Sequence, residues 1–203
     1  MRLNISIIGF VLSALLVIFF GFFLFQLRWV AMACLSIFFI LSFWSIWSAS
    51  FDEIRQIFGF NASRWHWIAL ASLGGTGLAI FYRWYQGETL YPDDLSSFAL
   101  TAIMIGITEE VIFRGYFLGK LFDFQQYIWA LITSAILHTA YKTAIFFPFE
   151  PINLISLGGW TFLVGLLLAH SRRESGSIWP CVVFHALFDF WVYGDNAAPW
   201  WIW

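Results

Sequence analysis

Long apolar runs separated by short polar breaks occupy most of this chain. Roughly 20 helical residues cross the hydrocarbon core of a bilayer, and most of the runs approach or exceed that length. The pattern therefore predicts an all-α fold: a polytopic membrane helical bundle with about seven transmembrane helices, within a range of six to eight. The predicted spans are Ile5–Phe25, Trp29–Ser50, Trp65–Tyr85, Phe98–Lys120, Tyr127–Phe147, Asn153–His170 and Ile178–Tyr193.

The breaks between the runs differ in character. Phe51–Arg64 mixes acidic and basic residues with Phe and Ile, which favours an interfacial amphipathic helix or loop. Gln86–Ser97 is the clearest loop, and Arg172–Ser177 is predicted to form a short turn. The Trp-rich tail Gly194–Trp203 is too short to span and is expected at an interface. We predict a single membrane domain, 1–203.

The composition is typical of a protein that is embedded in lipid. It is 61% hydrophobic and 11% charged, whereas soluble domains carry about 25% charged residues. No basic run suggests nucleic acid, and the lipid bilayer is the partner that the composition predicts. Lys and Arg favour a cytoplasmic N-terminus, and the short loops favour a prokaryotic inner or plasma membrane. Cys34 and Cys181 lie in apolar stretches and predict no disulfide.

The fourth span contains ionisable residues, which are costly inside a membrane and by default mark function. Glu109, Glu110 and Arg114 lie near its middle. Adjacent helical residues point about 100° apart, so the two glutamates are not expected to face one partner. Glu110 and Arg114 are four residues apart and are expected to pair. Glu109 then needs a partner from another helix.

Two other spans supply candidates. The fifth carries His138 near its middle, and the seventh carries His185 and Asp189 four residues apart. Such groups could converge on one cavity and activate a water molecule. They could equally hold a divalent metal, because His and carboxylate side chains bind zinc.

Simpler interpretations exist for each group alone. A Glu–Arg pair is often a structural link between helices, and a lone buried histidine is usually a satisfied core residue. Three spans with ionisable groups at a similar depth favour a shared site. Gly74, Gly75 and Gly77 in the third span predict close helix packing rather than a phosphate loop.

These residues resemble the CPBP family of CAAX proteases and bacteriocin-processing enzymes, also called Abi. The segment Glu109–Arg114 reads EEVIFR and is similar to its EExxxR motif. His138 matches the histidine of its FxxxH motif, although Ser134 stands where Phe is typical. His185 and Asp189 match its third motif, HxxxN or HxxxD, in the Asp form. The resemblance covers about half of the chain.

The resemblance implies intramembrane endopeptidase activity of the glutamic or metallo type on a membrane-anchored protein or peptide substrate, with a catalytic core at about 98–193. Glu109 would be the general base that activates water, assisted by His138. His185 and Asp189 would bind the oxyanion or orient the water. An ionised Asp189 cannot donate a hydrogen bond, unlike the Asn of other members.

The same resemblance makes Glu110 and Arg114 a supporting pair. No cofactor is required in the glutamic mechanism that we prefer, and no metal is assigned. If zinc is bound, Glu109, His138 and His185 would be its ligands.

Two other functions use the same features. A non-catalytic immunity or assembly factor on this scaffold would keep its function after substitution of Glu109 by Gln. An ion- or proton-coupled transporter would use the intramembrane acids and histidines as a relay.

Overall fold

The computed structural model describes residues 2–96, 98–147 and 154–195, with residues 2–6 described by backbone alone. All regular secondary structure in these ranges is helical, which confirms the all-α prediction. A π-helical segment, Val111–Phe117, interrupts one long helix between α5 and α6. The α-helices are α1 Arg2–Phe23, α2 Arg28–Ile46, α3 Phe51–Phe58, α4 Trp65–Gln86, α5 Phe98–Glu110, α6 Leu118–Phe124, α7 Tyr127–Phe146, α8 Leu154–Ser175 and α9 Trp179–Tyr193.

Helix α3 forms within the predicted interfacial segment. Ser50 and Glu53 close a capping box at its start: the Ser50 hydroxyl accepts from the Glu53 amide at 3.3 Å, and the Glu53 carboxylate accepts from the Ser50 amide at 2.6 Å. This exchange satisfies two backbone donors that an eight-residue helix would otherwise leave to water.

The turn predicted at Arg172–Ser177 is wrong in its first part. Helix α8 continues to Ser175, and the chain turns at Gly176, whose φ is +66°. Arg172 is only 5% exposed. Its guanidinium occupies the space that a side chain on Gly59 would fill, so packing extends the helix past its apolar run.

Two described helices, α2 and α8, are long and apolar enough to cross a membrane by length and composition. The apolar part of α1, Ile7–Phe23, is shorter. Helix α9 has 15 residues, so it rises only about 22 Å. The count of seven spans therefore stays a prediction. The break between the fifth and sixth predicted spans and the tail from residue 196 lie outside the described residues.

The chain divides into two compact units. The first comprises Met1–Ile57 and Tyr116–Ala169. Within it α1 packs against α2 and α7, and α6 packs against α7 around the buried Leu118 and Leu121. The second unit comprises Phe58–Gly115 and His170–Trp203. Within it α9 packs against both α4 and α5. The single membrane domain stays a prediction.

Glycine allows the close approach of α4 to α9. A Cβ on Gly75 would collide with the backbone carbonyl of Phe184, and one on Gly74 would lie 3.1 Å from the Phe184 ring. Nothing lies within 4 Å of a Cβ on Gly77. The small residues of this helix therefore serve helix packing, as the sequence predicts, and they fix the α9 backbone one residue before His185.

Substituting Gly75 by Ala is expected to lower the free energy of unfolding by about 1–3 kcal/mol, because the α9 backbone must move. The matched control is Gly77→Ala, which meets open space and should be neutral or stabilising by about 0.5–1 kcal/mol. Denaturant unfolding in mixed micelles measures both. Equal effects of the two substitutions would contradict the close approach.

Arg83, near the end of α4, forms hydrogen bonds both to the loop that follows α4 and to the end of α9. It is 2% exposed. Its Nε donates to the Thr89 carbonyl at 2.6 Å, and its Nη1 donates to the carbonyls of Trp191 and Val192 at 3.2 Å each. Its two Nη atoms also donate to the Asp195 carboxylate, at 3.1 and 2.7 Å. One guanidinium thereby satisfies the last carbonyls of α9.

The Arg83–Asp195 pair predicts acid sensitivity. The hydrogen bonds from Arg83 hold the pKa of Asp195 below its usual value. A carboxyl whose pKa is lowered by folding stabilises the protein above its unfolded pKa, and this stability is lost as the pH falls through the folded pKa. We expect Asp195→Asn to lower the free energy of unfolding by about 1.5–3 kcal/mol at neutral pH, with a smaller difference from wild type below about pH 4. The exposed Asp94→Asn is the control, and a pH-independent difference at Asp195 would contradict the prediction.

Candidate functional site

The two adjacent glutamates lie at the end of α5, where α-helical geometry passes into the π-helical segment. Glu109 is 3% exposed, and Glu110 and Arg114 are fully buried. Short π-helical insertions are rare and often occur at functional sites. The sequence did not predict this one.

Glu110 bridges two helices. Its Oε1 accepts a hydrogen bond from Arg114 Nη1 at 2.9 Å. The same oxygen lies 2.8 Å from Nδ1 of His185 on α9. The expected Glu110–Arg114 pair is therefore present, but the role of Glu110 is wider than support within its own helix. An ionised carboxylate only accepts, so Nδ1 carries the proton in this contact when Glu110 is ionised.

The other ring nitrogen of His185 faces two acids. Its Nε2 lies 3.6 Å from Glu109 Oε2 and 3.6 Å from Asp189 Oδ2. These separations are too long for direct hydrogen bonds and short enough for strong electrostatic coupling. Both acids and the imidazole are almost completely buried.

The expectation that the two glutamates cannot face one partner is wrong. Both reach His185, Glu109 at Nε2 and Glu110 at Nδ1. Their backbone directions do differ, but an imidazole has nitrogens on two sides of its ring. The ring therefore fits between two side chains that diverge from neighbouring positions.

Gly106 gives α9 the room to bring His185 and Asp189 to the glutamates. A Cβ on Gly106 would lie 3.1 Å from Asp189 Oδ2 and 3.3 Å from the His185 carbonyl carbon. These distances are tighter than most real contacts of a Cβ atom. Gly106 precedes Glu109 by about one helical turn, so the close approach falls at the level of the site.

His138 lies on α7, in the other compact unit. It is 4% exposed, and its ring stacks on Tyr141 with centroids 6.5 Å apart. Ser134, at the position where the motif usually has Phe, is fully buried. The place of His138 relative to Glu109 stays a prediction.

Zinc binding is the alternative to a water site. Among residues 2–96, 98–147 and 154–195, no group of three His, Cys, Asp or Glu side chains is arranged to hold a metal ion. The carboxylates around His185 have the right donor chemistry for zinc, but His138, the third expected ligand, belongs to the other unit.

The site lies in a segment that matches a known protein family. Residues 91–191 match the family described as type II CAAX prenyl endopeptidase Rce1-like. This confirms the CPBP resemblance, and the Rce1-like segment contains every residue predicted for the site. Rce1-like proteins are integral membrane proteases. Searches of curated proteins and of solved structures returned no match.

Proposed function

We propose that this chain is a multi-pass intramembrane endopeptidase that cleaves a peptide bond in a membrane-associated protein or peptide tail. The observation that carries the proposal is the pair of buried acids, Glu109 and Asp189, against one imidazole nitrogen of His185. Buried acids in this arrangement suit a base that takes and returns a proton. They occur inside a segment of a protease family.

A bilayer location fits the surface of the chain. Many large apolar side chains are exposed, among them Trp29, Trp44 and Ile155, which are 89%, 78% and 90% exposed. Exposed apolar area on this scale suits lipid rather than water. We propose that the chain crosses the membrane with the seven predicted spans and that α9 forms the last of them.

In the proposed reaction Glu109 removes a proton from a water molecule as the water oxygen attacks the peptide carbonyl carbon. The carbonyl oxygen becomes an oxyanion in a tetrahedral intermediate. The intermediate collapses, the C–N bond breaks, and Glu109 returns its proton to the leaving amine. One water is consumed, one carboxyl and one amine are formed, and the enzyme is regenerated.

The neighbouring residues support this proton transfer. Glu110 and Arg114 hold His185 through Nδ1, so its Nε2 stays directed at Glu109 and Asp189. His138 is proposed to assist Glu109 in orienting the water. If zinc is bound, it would act as a Lewis acid on the carbonyl, with Glu109, His138 and His185 as ligands.

The substrate class is tested with two membrane-anchored probes reconstituted with the purified protein. One is a prenylated CaaX peptide, as the family description suggests, and the other is an unprenylated single-span tail. We expect cleavage of the single-span tail. If only the prenylated peptide is cleaved, the proposed substrate is wrong, but the proposed endopeptidase activity is confirmed. Ion flux in the same liposomes without cleavage of either probe would favour a transporter and contradict the proposal.

A further inference from the structure

The proposed reaction needs a hydrogen-bond donor for the oxyanion. Asp189 cannot serve when ionised, because a carboxylate only accepts. His185 is also engaged: Nδ1 meets Glu110 at 2.8 Å, and Nε2 lies between two carboxylates. Neither His185 nor an ionised Asp189, the two residues expected to bind the oxyanion, is therefore placed to donate to it.

Tyr193 lies on the same face of α9. His185, Asp189 and Tyr193 are spaced four residues apart, so their side chains form one stripe along the helix. A long helical side chain leans toward the N-terminus and covers the preceding turn. We therefore expect the phenol of Tyr193 to lean back over Asp189, toward His185.

The charges around Tyr193 agree with this expectation. The carboxylates of Asp189, Glu109 and Glu88 all act electrostatically on its phenol, and the first two belong to the predicted site. The side chain is half-buried. No hydrogen bond joins its hydroxyl to a residue in the described part of the chain.

We propose that the Tyr193 hydroxyl donates the hydrogen bond that stabilises the oxyanion, replacing the donor that Asp189 does not supply. This inference rests on the proposed function. A neutral phenol at the edge of a buried acidic site suits this role, because it donates, it carries no charge to be desolvated, and its ring is held rigidly. Glu109 then activates the attacking water, and the phenol donates to the negative charge that develops on the carbonyl oxygen.

Tyr82 on α4 is the competing donor. Its ring packs edge-on against Phe188 at 6.1 Å, and it also acts on Tyr193. Tyr82 approaches from α4, whereas Tyr193 shares a helix face with His185 and Asp189. Tyr82→Phe is therefore an informative comparison with Tyr193→Phe.

The test measures kcat and KM for cleavage of the single-span probe. Tyr193→Phe keeps the ring and removes only the hydroxyl, so kcat should fall about 10²–10³-fold, as for loss of one oxyanion donor. KM should change by less than about threefold, because the interaction forms only in the transition state. Tyr85→Phe, whose side chain is 71% exposed, is the matched control and should match wild type.

Rescue distinguishes a donor from a packing residue. Asn at position 189 supplies an amide donor, so Tyr193→Phe should lower kcat by less than about tenfold in an Asp189→Asn background. An undiminished loss in that background would overturn the inference, as would full activity of Tyr193→Phe or an equal loss in Tyr82→Phe. If Glu109→Gln is inactive while Tyr193→Phe is fully active, only the inference fails. If wild type cleaves neither probe, the proposed function itself fails.

Discussion

Substitution of Glu109 by Gln is expected to lower kcat by about 10³-fold, within the range found for loss of a general base. Gln keeps the size of the side chain and a carbonyl oxygen but cannot accept a proton from water at neutral pH. Because Glu109 Oε2 lies 3.6 Å from His185 Nε2, the substitution also removes a charge from that nitrogen. Cleavage of the single-span probe, corrected for the folded fraction, measures the effect.

The matched control for this substitution is Glu174→Gln. Glu174 is exposed and pairs with Arg173 at 2.9 Å, and exposed pairs contribute little to stability. Its activity should equal that of wild type. A Glu109→Gln variant that cleaves at the wild-type rate would remove Glu109 from the mechanism. Absence of cleavage by both wild type and Glu109→Gln would instead favour the non-catalytic factor.

Substitution of Arg114 by Met is expected to lower the free energy of unfolding by about 3–5 kcal/mol, because it removes one member of a buried ion pair. Arg114 and Glu110 are both fully buried and lie 2.9 Å apart. Met keeps much of the volume of Arg, so the loss reports charge rather than a cavity. Denaturant unfolding in mixed micelles measures it.

The double variant Glu110→Gln/Arg114→Met separates charge pairing from packing. With both charges gone, most of the lost stability should return, because a neutral pair leaves no uncompensated charge. The activity should stay low, because Gln at position 110 holds His185 Nδ1 less strongly than a carboxylate. Additive losses of stability in the double variant would show that the two residues do not act as a pair.

Local spacing predicted those parts of the site that depend on one helix. Residues four apart share a face, so the Glu110–Arg114 pair follows from the sequence. The same spacing placed His185 and Asp189 together. The positions of the helices followed from the apolar runs. Helix α8 continues past the end of its apolar run, where Arg172 packs against Gly59.

The parts that depend on two helices were missed for a physical reason. Spacing gives the direction of a Cβ atom, but it does not say where a ring from another helix will insert. The His185 ring enters between Glu109 and Glu110, so both acids reach it. Arg83 also donates hydrogen bonds to carbonyls at the end of α9, which lie far from it in sequence. An arginine near the end of an apolar helix was the only sequence signal of these bonds.

A single-turnover cleavage in ¹⁸O-labelled water tests whether Glu109 delivers water directly to the peptide carbonyl. We expect that one ¹⁸O atom enters the new carboxyl end of the product in the first turnover. The protein segment containing Glu109 should carry no label. Label in the Glu109 carboxylate, with unlabelled product, would show covalent attack by that acid and would contradict the proposed mechanism.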